Sequence, residues 1–267
     1  MKTLDVTLSG AEIQFLGELL QIELIVGMKD PHEHLSQQER EASFLEARDS
    51  LIEKQILFER DTYEIERSYA VLIDAMRPQF TYCRVQHIAQ RKQSITHYHF
   101  TPILAIKRTE LPDTNLHRIQ LVGTPAEALE EIKRSFSMPQ DDAADTPVSF
   151  TLEEADFRRL TGPDKHAALE GIKSSYGNEA IVGLEAFTAS ITTPLTAGQV
   201  ERIVWDEKES KWHDRILHFI IGKAELWKVS PIMGEREQMK ITRIGKSELE
   251  RSIDELGLFS TVTSGAH

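Results

Sequence analysis

The feature that most constrains this chain is a unit written twice. HRIQLVGTPAEALEEIKRSF closes the first half and QMKITRIGKSELERSIDELGLF closes the second, each reading as a strand, a glycine and a helix. Gly123 and Gly245 mark matching strand-to-helix turns (245 − 123 = 122), and His99-Phe100 and His218-Phe219 recur upstream (219 − 100 = 119). A loop absorbs the difference of three. The openings match as well, LSGAEIQFL after Val6 against FTLEEADFRRL after Val148. Two copies of such a unit can join their sheets edge to edge and so cover strand edges that otherwise invite aggregation. The expectation is an α+β chain of two similar halves, each with helices and an antiparallel meander, related by a pseudo-two-fold.

Helix starts are signalled by a hydroxyl residue followed three places later by a glutamate, the spacing at which both side chains satisfy free N–H groups of the first turn. Ser9/Glu12, Ser36/Glu39, Thr124/Glu127, Thr151/Glu154 and Ser247/Glu250 all fit. Pro125 follows Thr124, where its missing donor costs nothing. Helices are predicted near 10–26, 37–55, 62–76, 125–136, 152–160, 164–175, 178–190 and 247–257. Residues 80–89, 95–107, 117–122, 199–206, 214–221, 224–230 and 238–244 are rich in β-branched and aromatic residues and read as strands.

The segment SMPQDDAADTPVS, residues 137–149, has two prolines, three aspartates and little to bury, as a solvated linker should. The division is an N-terminal α+β half over 1–138, a linker over 139–148, a C-terminal α+β half over 149–260 and a flexible tail over 261–267. With 31 Lys and Arg against 43 Asp and Glu, the net charge of −12 disfavours nucleic acid, whose phosphates need a basic face. One cysteine, Cys83, leaves no intramolecular disulfide. Glu12, Glu18 and Glu23 interrupt the apolar positions of the N-terminus, which therefore lacks the pattern of an export signal, and no apolar run suffices to insert into a membrane. A cytoplasmic protein is expected.

No phosphate loop, nucleophile elbow or paired-histidine zinc helix occurs, so an enzyme is not expected, and no cofactor. His97 and His99 stand at i and i+2 of one strand and share a face, and His87 on the next strand is a third candidate metal ligand. No acidic residue nearby in sequence completes the set, and histidines on a half-buried strand need no metal. Cys83 has no identifiable partner base and reads as a small buried side chain.

Aromatic placement says more. All three tryptophans, Trp205, Trp212 and Trp227, lie in the second meander, with Phe219 between them. Trp205 and Trp227 read as core. Trp212 falls in EKESKWHD, a charged hairpin tip where burial within its own domain is hard to arrange, so it is a candidate partner contact. Phe187, in EAIVGLEAFTASI, suits either a core or a groove wall, and Phe219 joins it as a candidate partner-binding residue.

The two-part plan, the LSxxE-type openings, the stretch ARDSLIEKQILFERDTYEIERSYAVLIDAMRP ending at Arg77-Pro78, and the closing AELWKVSPI…MKITRIGKSELERSIDEL together resemble the EspG-type chaperones of type VII secretion. The chain departs from that pattern at Gln55-Ile56, where the family often has glycine after the second helix. The Lys- and Glu-rich composition looks more like the comparable EsaE-type chaperones. The resemblance implies a non-enzymatic cytosolic adaptor that keeps a secreted helical protein or toxin soluble and presents it for export. A homodimer is left open by this reading. The competing expectations are a toxin-neutralising immunity protein and a metal enzyme built on the histidines.

Overall fold

The computed structural model describes residues 4–259 apart from 90–91, 113, 137–147, 193, 195, 224, 233 and 235–236. The first half runs β1 (Asp5–Ser9), α1 (Gly10–Leu19), α2 (Gln37–Glu53), a small hairpin of β2 (Leu57–Glu59) and β3 (Tyr63–Ile65), and α3 (Arg67–Asp74). It continues through β4 (Thr81–Ala89), β5 (Lys92–Phe100), β6 (Ala105–Glu110), β7 (Leu116–Gly123) and α4 (Pro125–Ser135). The second half runs β8 (Ser149–Glu153), α5 (Glu154–Thr161), α6 (Lys165–Lys173), α7 (Asn178–Thr192), β9 (Thr196–Asp206), β10 (Lys211–Ile221), β11 (Leu226–Ile232), β12 (Gln238–Ile244) and α8 (Lys246–Glu255). The expected linker (apart from Val148) and tail lie outside the described residues.

Each half contributes five strands to one antiparallel sheet, in the order β1-β7-β6-β5-β4-β9-β10-β11-β12-β8. The order reads alike from either edge, which is compatible with two related halves meeting at β4 and β9. That seam is a seven-residue ladder from Tyr82↔Ile203 to Ile88↔Ala197. Paired that way, the halves stand in a different register from the one the sequence marks suggest. The hairpin turns close through Thr101 N–H to Leu104 O and Gly222 N–H to Glu225 O, an offset of 222 − 101 = 121. The helices α4 and α8 start at the same offset, 246 − 125 = 121. Gly245 therefore matches Thr124, not Gly123, and Phe219 matches Tyr98, not Phe100.

Three of the five expected caps form. Ser9/Glu12, Ser36/Glu39 and Thr124/Glu127 make reciprocal boxes. Thr151 instead lies inside β8, and Gly245 rather than Ser247 precedes α8. The predicted helix at 10–26 ends at Leu19, the one at 62–76 begins at Arg67 behind a Glu66 cap, and the predicted strand at 95–107 is two strands turning at residues 101–104.

Side-chain alternation divides the core into layers. Cys83, Val85, Tyr98, Val200, Leu217 and Phe219 face α4 and α8, which cover the middle of one side of the sheet. On the other side, α1–α3 pack over Leu8, Ile106 and Ile119 towards the β1 edge. Likewise α5–α7 pack over Phe150, Trp227, Val229 and Ile241 towards the β8 edge. The two helical layers thus sit at opposite ends of the same face.

Candidate functional site

Between those layers the four central strands carry the second face of the sheet. The ladders fix which side chains share it, because directly paired residues point the same way. One row runs Gln93, Ile88, Ala197, Ile220, and the next Ile95, Gln86, Gln199, His218. Then come His97, Arg84, Glu201, Ile216 and His99, Tyr82, Ile203, Asp214, and the Trp205–Trp212 pair lies beyond. Ile88 is 42%, Ile216 40% and Trp212 38% exposed, and Ile95, Ile203, Trp205 and Ile220 are partly so. Several apolar side chains left open on one sheet face make that face the candidate docking surface.

The polar residues of this face are mostly tied to one another. Arg84 reaches Glu201 at 2.7 Å across the β4–β9 seam. Gln86 and Gln199 oppose each other one row away. The Tyr82 hydroxyl lies 2.6 Å from His97 Nδ1, and burial pushes its pKa up to about 12. The floor therefore has fixed polar groups between apolar residues at its two ends, and these can set the register of something laid across it.

Trp212 is where the sequence placed it, near the tip of the β9–β10 hairpin, with its ring edge-on to Trp205 at 5.1 Å between centroids. The other two candidate contacts are interior. Phe187 is 0% exposed, packed against Phe150, Phe157 and Trp227. Phe219 is 1% exposed and sits edge-on to Phe136 on the α4/α8 side of the sheet. Both serve cores. Ile88 and Ile216, which sequence reading passed over, are the exposed large side chains of this face; their signal was a large aliphatic residue at a strand position pointing away from α4 and α8, in the gap between the two helical layers.

The candidate histidine set does not converge. His97 and His99 share the face described above, whereas His87 points to the other side and stacks on Phe136 at 4.6 Å. Burial holds all three below the ordinary histidine pKa, His97 at about 3. Among the described residues, the metal-ligating atoms that do gather are those of Asp206, Glu209 and His213, within 4.8 Å of one another at the exposed hairpin tip. His213 Nε2 already lies 3.7 and 3.2 Å from the two carboxylates and Lys211 pairs with Glu209, so contacts among these side chains account for the group. Cys83 is fully buried, and burial pushes its thiol pKa far up, as an unreactive side chain requires. No described helix is long and apolar enough to cross a membrane.

No family model matches the chain, and no curated protein matches it in sequence. Among solved structures, the fold is similar to that of the Mycobacterium tuberculosis type VII secretion system chaperone EspG5, determined in complex with a PE25–PPE41 dimer. The TM-score is 0.63 over 95% of each chain, at 10% sequence identity. The likeness is one of fold, spanning both halves.

Proposed function

We propose that this chain is a non-enzymatic chaperone-type adaptor that holds a secreted helical protein or toxin on the open central face of its sheet, for a type VII-like export system. The observation that carries the reading is the strip of Ile88, Ile216 and Trp212, exposed on the middle strands between two helical layers. The likeness in fold to a secretion chaperone supports it. An amphipathic helix or helical hairpin lays its apolar side on such a strip, while Arg84, Glu201 and the glutamine pair fix its position. The net charge of −12 keeps the complex soluble and away from anionic membranes and nucleic acid, which suits work in the cytoplasm.

The test is a calorimetric titration of the purified protein against helical secretion substrates encoded beside its gene. Ile216→Asp puts a charge at the centre of the strip without touching a core, and the expected result is at least a tenfold loss of affinity with the melting temperature little changed. Undiminished affinity would move the binding surface elsewhere. An immunity protein differs in outcome: it would block a toxin's active site rather than bind its export segment.

A further inference from the structure

Beside the open strip, on the same face of the sheet and towards α1–α3, lies a buried polar cluster. Arg108 is wholly buried on β6, and its guanidinium reaches in two directions. Nη2 donates to Gly27 O at 2.5 Å, on the connection between α1 and α2, and Nη1 lies 3.1 Å from His117 Nδ1. A guanidinium has donors only, so His117 Nδ1 must be an acceptor and the ring must be neutral, with its proton on Nε2. Around this pair stand His97 and His99 on β5 and Tyr82 on β4, all buried. Among the described residues, His99 Nε2 and Arg108 Nε have no hydrogen-bond partner.

The counter-charge is thin. Glu110 on β6, half exposed, is 3.7 Å from Arg108 and 3.9 Å from His97 Nε2. Arg84 on β4 adds another positive charge, itself paired with Glu201 on β9. On the connection itself, His32 stacks on Phe44, bonds Ser43 Oγ and faces Asp30. Gly27 is fixed by a second device. Its φ is +72°, and a Cβ there would stand 2.2 Å from the Tyr82 hydroxyl oxygen, so only glycine lets the connection lie against the cluster.

We propose that the Gly27–Arg108–His117 chain is an acid-released clasp, which holds the α1–α2 connection to the sheet while His117 is neutral and lets it go when that ring takes up a proton. Protonation turns the acceptor into a second donor and sets two cations against each other, with two more imidazoles alongside and one half-exposed carboxylate to offset them. The same burial and the Arg108 charge hold His97, His99 and His117 below the ordinary histidine value in the folded state. The sign follows: the opened chain binds protons before the closed one, so closure is favoured above about pH 6.5 and weakens as pH falls below it.

The experiment is amide hydrogen exchange over residues 20–36 at pH 7.5 and 5.5, corrected for the intrinsic exchange rate, in the full-length protein and in His117→Asn. Asparagine offers Oδ1 as a non-titrating acceptor. The wild type is expected to lose at least about tenfold protection in this segment at the lower pH, with a clearly smaller loss in the variant. Unchanged wild-type protection, or an equal loss in both proteins, overturns the clasp. NMR titration of the imidazoles in the wild type needs no variant. A neutral His117 with its proton on Nε2 at pH 6.5 is expected, and a folded-state pKa at or above the ordinary value overturns the proposal.

Discussion

At the scale of single residues, the clearest departures from simple rules are two glutamines. Gln21 and Gln55 have φ of +56° and +58°, the left-handed backbone that usually selects glycine at a helix end. Each is followed by an isoleucine that turns back into the core, and the two ends close identically. Ile22 N–H donates to Gly17 O at 2.8 Å, and Ile56 N–H to Leu51 O at 3.0 Å. The motif survives because the buried isoleucine and the recovered carbonyls outweigh the strain at one exposed residue. Gln55→Gly should therefore stabilise the protein by about 0.5–1 kcal/mol in urea denaturation, the relief of the left-handed conformation less the entropy of glycine. Glu12 works in the other direction. It is 2% exposed, caps α1 through Ser9 N–H, and accepts from Ser50 Oγ of α2 at 2.7 Å and from Lys54 Nζ, just past the end of α2, at 2.6 Å. Glu12→Ala removes a cap and a helix-to-helix anchor together, and the expected cost in the same measurement is about 2–4 kcal/mol.

At the scale of elements, strands and cap-marked helices were legible wherever one local signal sufficed. The 238–244 strand is found as predicted, and Ser36/Glu39 and Thr124/Glu127 fix α2 and α4. What was not legible depended on partners far along the chain. The short edge strands β1 and β8 hold five residues each and exist because β7 and β12 offer them a ladder. The predicted helix at 10–26 overran because its stop is a glutamine, and the one at 62–76 because the β2–β3 hairpin takes Tyr63–Ile65. Phe187 could not be assigned from its own neighbourhood, since its surroundings come from β8 and β11. Trp212 could be, because a tryptophan in a run of charges at a hairpin tip has little to bury against. It packs on Trp205 alone among the aromatic rings described, so Trp212→Ala should cost about 0.5–1.5 kcal/mol of stability while the two-state melt is kept. The same substitution should weaken partner capture in a binding titration by more than that loss, and equal affinity would take the hairpin out of the site.

At the scale of the molecule, a single sheet spans both halves. Its central seam is formed by β4 and β9, one strand from each half, and the open apolar strip lies across that seam. Neither half carries the strip alone: Ile88 belongs to the first, Ile216 and Trp212 to the second. On the proposed function, a surface shared in this way ties binding to correct joining of the halves. It also explains why, of Trp212, Phe187 and Phe219, the three contacts the sequence suggested, only Trp212 lies on this face. The sheet face becomes a surface only when residues from four strands are set in register. The α4/α8 side, by contrast, is filled by its own core.

The most direct test of this account is a hydrogen-exchange footprint of the protein with and without a bound helical export substrate. The account predicts new protection along β4, β5, β9 and β10, concentrated around Arg84–Ile88 and Ile203–Ile216, with α4 and α8 unchanged. Protection confined to α4 and α8, or to the β1 and β8 edges, would contradict it.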